Sequence, residues 1–172
     1  MYTILFSLLS LFYLSDIYQF TIPSIGGGAP IHFNDFKGKK ILVVNTATGS
    51  IFTKQYAALE QLYQQNKDKL VIIAIPSNDF QHEGKAEQEI QQFVNGNYHV
   101  HFLLAAKTSV TGSDQSDLYK WLTKGGENGA MSSKVTNDFQ KYLVGTDGHV
   151  IGYFHGAVDP LDPTLIKLIQ AN

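Results

Sequence analysis

The chain contains no cysteine in its 172 residues. That absence excludes a disulfide framework, a thiolate metal site and a catalytic thiol. An excess of either charge is also missing: 13 Lys+Arg stand against 15 Asp+Glu, a net charge of −2. There is accordingly no broad electrostatic reason to expect nucleic acid or an anionic membrane as a partner. No apolar run approaches the about 20 residues that a membrane-spanning helix needs. Charged residues make up only 16% of the chain against 44% hydrophobic ones, a balance that excludes a disordered protein. At roughly 100–200 residues per domain, one domain with a substantial core is expected.

Residues 4–14, ILFSLLSLFYL, are eleven positions without a charge. The apolar region of a secretory signal is typically about 7–15 residues long. No Lys or Arg precedes this one, and no small-x-small cleavage site follows. Residues 1–14 are therefore an apolar leader, either an export signal or a segment docked on the domain, and 15–172 form the domain itself. An export signal would make the protein periplasmic or secreted; a docked segment would leave it cytoplasmic.

Periodicity gives the order of elements. Residues 18–22 alternate and stop at Pro23, as a half-buried strand does, and 31–33 return as its partner after a glycine-rich turn. Residues 40–44 (KILVV) and 70–75 (LVIIAI) are nearly continuous apolar runs, the pattern of strands covered on both faces. Between them Tyr56, Leu59, Leu62 and Tyr63 recur at helical spacing, which predicts a strand–helix–strand unit with a right-handed crossover. Ala86, Ile90, Phe93 and Val94 predict a second helix, 100–104 a third strand, and Leu118, Trp121 and Leu122 a third helix. Lone Trp121 reads as core. Residues 141–144 and 149–154 flank an Asp-Gly turn, a strong hairpin signal. Asp162 and Pro163 supply a cap and a first-turn proline for a last helix. The whole is a layered α/β domain with an antiparallel edge.

Ligands of open α/β sheets bind beyond the carboxyl ends of the parallel strands. Residues 45–53 (NTATGSIFT) and 77–83 (SNDFQHE) occupy those ends. On composition alone these are ordinary turns and caps. His32, His99, His101, His149 and His155 show no convergence of three ligands, so no metal is expected. Residues 124–133 (KGGENGAMSS) read as a mobile connection, since they lack the Lys-Ser/Thr and preceding strand of a phosphate loop.

Taken in order, these segments resemble the glutathione peroxidase family, a thioredoxin-fold group, from about residue 17 to the C-terminus. Phe36-Lys37-Gly38-Lys39 is similar to its Tyr-Lys-Gly-Lys, and residues 45–53 to its Asn-Val-Ala-Ser-x-Cys-Gly-(Phe/Tyr)-Thr. Gln55-Tyr56 matches Gln-Tyr, and Pro76-Ser77-Asn78-Asp79-Phe80 is similar to Pro-Cys-Asn-Gln-Phe. Residues 118–122 and 139–143 fit two later signatures. The resemblance implies a thioredoxin-like fold: a central mixed sheet flanked by helices, with an N-terminal β-hairpin. It also implies thiol-dependent reduction of hydroperoxides, with glutathione or thioredoxin as reductant and no bound cofactor.

Residue by residue, the family's chemistry does not carry over. The attacking cysteine or selenocysteine position falls on Ser50. The Gln position falls on His82, with Gln81 and Glu83 as neighbouring alternatives, and the Trp and Asn positions fall on Asn137 and Asp138. The resolving-cysteine position falls near Asn95, the cysteine of Pro-Cys-Asn is Ser77, and the proline of a later Phe-Pro pair is Leu103. A serine hydroxyl is un-ionised at neutral pH without a base, and it has no oxidation ladder to carry the electrons. The expectation is a pseudoenzyme that binds a small molecule or protein in the degenerate cleft. A hydrolase-like Ser50/His82/Asp138 site and a residual peroxidase of unknown mechanism are the alternatives. The resemblance leaves open whether Asp138 meets His82 or Ser50. Tetrameric members carry an insertion before the late Trp-Asn-Phe motif, and the short stretch here implies a monomer.

Overall fold

The computed structural model of the protein describes residues 15–130 and 132–171. The leader expected at 1–14 lies outside the described residues. The two-residue strands β1 (Thr21–Ile22) and β2 (Ile31–His32) pair as an antiparallel hairpin. Then come β3 (Lys40–Thr46), α1 (Gln55–Asn66), β4 (Leu70–Pro76), α2 (Glu87–Tyr98) and β5 (Leu103–Leu104). The chain continues through α3 (Asp117–Thr123), α4 (Gly125–Asn128), β6 (Lys141–Val144), β7 (Val150–Phe154) and α5 (Pro163–Gln170).

The main sheet has the order β5-β4-β3-β6-β7. β3 runs parallel to β4 and β4 to β5, whereas β6 and β7 are antiparallel. β3 and β4 are buried along their whole length, which is why both read as unbroken apolar runs. Side chains alternate between the faces. Ile41, Val43, Ile73 and Tyr142 pack with Phe33, Leu118 and Trp121. On the opposite face Leu42, Val44, Ile72 and Leu143 pack with α1, α2 and α5 through Tyr56, Leu59, Ile90, Val94 and Leu165. This is the α/β thioredoxin-like arrangement expected from the sequence, with its N-terminal hairpin.

Local chemistry explains where bounds differ from the periodicity. Residues 17–19 form a 3-10 turn rather than strand, because the Asp16 carboxylate accepts the Tyr18 N–H at 3.0 Å. The third strand is confined to Leu103–Leu104, after His99 adopts a left-handed conformation (φ 50°) that ends α2. Residues 125–128 fold as a helical turn, anchored by the buried Asn128 amide on the carbonyls of Trp121 and Leu122 (3.0 and 2.8 Å). Trp121 is core, its indole N–H donating to the Ser15 carbonyl at 3.1 Å. α5 is capped by Asp162, whose carboxylate accepts the Thr164 N–H at 2.8 Å, with Pro163 in the first turn. No helix among the described residues is long and apolar enough to cross a membrane.

Candidate functional site

The loops leaving β3 and β4 meet beyond the carboxyl ends of these two central strands. A backbone bond joins them: the Gly49 N–H donates to the His82 carbonyl at 2.9 Å. The approach is close enough that a Cβ at Gly49 would stand 2.8 Å from that carbonyl oxygen. Gly49→Ala is therefore expected to force the loops apart and cost about 1–3 kcal/mol, measurable by urea denaturation.

Ser50 is 7% exposed, and its hydroxyl oxygen accepts the Phe52 N–H at 3.2 Å. It makes no hydrogen bond to His82 or Asp138. Glu83, fully buried, turns to the other side of the loop. Its carboxylate accepts the Thr48 N–H at 2.7 Å and the Thr48 hydroxyl at 2.8 Å. Its role is to hold the loop that carries Ser50. Gln81 is exposed and takes φ +62°, a left-handed conformation that sets the direction of the next residue.

That next residue is His82, whose Nδ1 lies 2.6 Å from Oδ2 of Asp138. The imidazole side chain is 51% exposed while the carboxylate side chain is 2% exposed. Asp138 thus meets His82. Its second oxygen, Oδ1, is buried with no hydrogen-bond partner among the described residues. The following residue, Phe139, also has a left-handed backbone (φ +58°) and donates its N–H to the Asn45 carbonyl at 2.6 Å. A non-glycine residue of this conformation therefore adjoins each member of the pair, a local strain of the kind that clusters at functional sites.

Asn137 does not join them. Its side-chain oxygen accepts the Gly156 N–H at 3.1 Å, and its carbonyl accepts the Asn45 amide at 2.9 Å. A Cβ at Gly156 would overlap the Asp138 carbonyl oxygen and stand 2.7 Å from the Asn137 side-chain oxygen. Gly156→Ala should consequently cost more than Gly49→Ala, about 3 kcal/mol, and weaken the hold on Asp138.

The sequence reading passed over Lys141. This lysine is fully buried, and its ammonium donates to Gln55 Oε1 (2.7 Å), the Phe139 carbonyl (2.7 Å) and the Val158 carbonyl (2.8 Å). Burial pushes its pKa down to about 7, with Asp159 opposing the shift. The signal was available: strand alternation puts Lys141 on the face of Leu143, which is core. Tyr56 lies beside Phe139, ring centroids 5.2 Å apart, and burial raises its phenol above the ordinary range.

The histidines considered as ligands are spread out. His101 pairs with Glu60 at 2.8 Å, His149 with Asp147 at 3.4 Å, and His32 contacts the Thr21 hydroxyl at 3.0 Å. No cluster of three or more His, Cys, Asp or Glu able to hold a metal occurs among the described residues. A cavity of about 410 Å³ opens elsewhere, between the N-terminal hairpin and α3, with Phe20, Ile22, Ile75 and Leu118 in its wall.

A strand–loop–helix at each of two adjacent parallel strand ends, with a polar centre between them, is the layout that the family resemblance implies. The family model for glutathione peroxidase matches residues 17–123. A glutathione peroxidase-like peroxiredoxin of Chlamydomonas reinhardtii is 38% identical over 149 residues, covering 84% of this chain and 91% of the relative. The chain belongs to the glutathione peroxidase family. A second member, the glutathione peroxidase of Lactococcus lactis subsp. cremoris, is 36% identical over 147 residues, covering 84% of this chain and 92% of its own. Among solved structures, Trgpx in its apo form superposes with a TM-score of 0.70 at 31% identity, over 92% of this chain and 98% of that one. A thioredoxin-family thiol:disulfide interchange protein of Chlorobium tepidum reaches 0.66 at 13% identity, over 91% and 97% of the two chains, and shares the fold. The matched family region includes Ser50 and His82, while Asn137 and Asp138 lie beyond it.

Proposed function

We propose that this protein is a redox-silent member of the glutathione peroxidase family, a binding or regulatory protein that retains the cleft and not the family reaction. One observation carries the reading: the only sulfur atoms in the chain are the thioethers of Met1 and Met131. Two-electron reduction of a hydroperoxide needs an atom that accepts oxygen from the peroxide and is then returned by a thiol. Thiolate sulfur does this through the sulfenic acid; an alcohol oxygen has no corresponding state. The partner positions support the same conclusion. His82 and Asp138 are engaged with each other at 2.6 Å, and Asn137 is engaged with Gly156 at 3.1 Å.

The scaffold around this centre is fully built. Glu83 holds the Ser50 loop, Gly49 docks on His82, and Gly156 admits the 137–138 segment. A centre with a buried carboxylate, Asp138, disfavours anionic ligands and suits a neutral or cationic group. Treatment with hydrogen peroxide and tert-butyl hydroperoxide, followed by peptide mass spectrometry, is expected to add oxygen only at methionine. Oxygen added to the peptide holding residue 50 would contradict the reading.

A further inference from the structure

The centre that lacks sulfur holds the parts of a different chemistry. His82 points Nδ1 at Asp138, 2.6 Å away, and the carboxylate is 2% exposed on its side chain. A buried carboxylate on one ring nitrogen fixes the tautomer that leaves Nε2 as the base, and it stabilises the imidazolium when Nε2 takes a proton. The side chain is 51% exposed, so the ring is open to solvent. On the adjoining loop the Ser50 hydroxyl uses its oxygen as acceptor for the Phe52 N–H, which leaves its proton free to be given. The Ile51 N–H, next to Ser50, has no acceptor among the described residues. In serine hydrolases the N–H of the residue after the nucleophile is a donor to the oxyanion.

We propose that Ser50, His82 and Asp138 form an acyl-transfer centre that cleaves small neutral carboxylic esters, with the Ile51 N–H facing the oxyanion. This goes beyond the redox-silent reading and rests on it only in that oxygen is the nucleophile. Ser50 Oγ attacks the ester carbonyl carbon while its proton passes to His82 Nε2. The carbonyl–alkoxy bond then breaks, and the leaving alcohol takes that proton. Water attacks the acyl-serine in the same manner and releases the acid, with His82 first accepting and then returning a proton. No electrons are exchanged, and no co-reactant besides water is needed.

The substrate class follows from the surroundings. Ser50 is only 7% exposed, so the acyl group that reaches it is short. The Asp138 carboxylate, buried against His82, disfavours an acid group near the carbonyl. Ile51, 88% exposed beside Ser50 in the chain, offers an apolar contact to the alcohol portion. The Gly49 N–H bond to the His82 carbonyl (2.9 Å) sets the two loops side by side, and the Ser50–Nε2 hydrogen bond, not formed in this structure, is the link that has to close on substrate.

The test is labelling of the full chain with a biotinylated fluorophosphonate, mapped by mass spectrometry, beside hydrolysis of p-nitrophenyl acetate. The expected result is a label on Ser50, none in Ser50→Ala, and a rate at least about 100-fold lower in folded His82→Gln. No label on the parent, a label on another residue, or an unchanged rate in His82→Gln overturns the proposal. If His82→Gln does not fold, the parent and Ser50→Ala decide the matter. Failure to label defeats the ester chemistry alone, whereas hydroperoxide turnover would defeat the redox-silent reading.

Discussion

Ser50→Cys is expected to gain a thiol and still consume hydroperoxide at least about 100-fold more slowly than the Lactococcus relative assayed beside it. The reason lies in the surroundings of residue 50. Removing one preorganised hydrogen-bond donor from a catalytic centre typically costs about 10²–10³ in rate. By the resemblance, the family's Gln, Trp and Asn positions fall on His82, Asn137 and Asp138. Asn137 Oδ1 is tied to the Gly156 N–H at 3.1 Å, and Asp138 is an acceptor where an amide could donate. A nearby carboxylate also disfavours a thiolate by like-charge repulsion. A coupled assay with glutathione and with thioredoxin measures the effect. Activity within about tenfold of the relative would mean that the substitutions around position 50 matter little.

The second large effect belongs to Lys141. Lys141→Met should destabilise the fold by about 3 kcal/mol at neutral pH, because Gln55 Oε1 and the carbonyls of Phe139 and Val158 lose their shared donor inside the core. The parent's pH dependence has a definite sign. The folded pKa of Lys141 is about 7, below the roughly 10.4 of an unfolded lysine. The unfolded chain therefore binds the extra proton between those values, and stability rises with pH across the window, by a few kcal/mol in the limit of one independent group. Lys40, also lowered by burial, adds to the same trend. Above pH about 10 the trend reverses, since burial raises the phenols of Tyr56, Tyr119 and Tyr142 and the unfolded chain loses those protons first. Urea midpoints from pH 7 to 11 should thus pass through a maximum, and Lys141→Met should flatten the rising limb. A parent midpoint that falls steadily from pH 7 would rule out a depressed lysine.

Much of the fold was legible because burial leaves a simple trace in sequence. β3 and β4 are covered on both faces and read as apolar runs, and α5 announces itself through Asp162 and Pro163. What failed to show were short-range competitions. The Asp16 carboxylate turns 17–19 away from strand, and Asn128 folds a glycine-rich stretch that reads as a plain connection. That residues 45–53 and 77–83 come together at the strand ends could be read from the apolar runs before them. The bond from His82 to Asp138 could not, because it spans 56 residues and depends on where two left-handed backbone turns aim the side chains. Nor could the role of Glu83, which differs from its neighbour His82 only in the direction its side chain takes. Lys141 escapes notice for a simpler reason: lysine in a strand is normally a solvent-facing residue, and only its shared face with Leu143 betrays it.

The most direct measurement is hydroperoxide turnover by the unmodified full chain, with hydrogen peroxide and an organic hydroperoxide, reduced by glutathione in one arm and thioredoxin in the other. An account in which oxygen occupies the place of sulfur predicts no turnover above buffer in either arm, whatever the concentration of reductant. Saturable turnover that is lost in Ser50→Ala would contradict it outright.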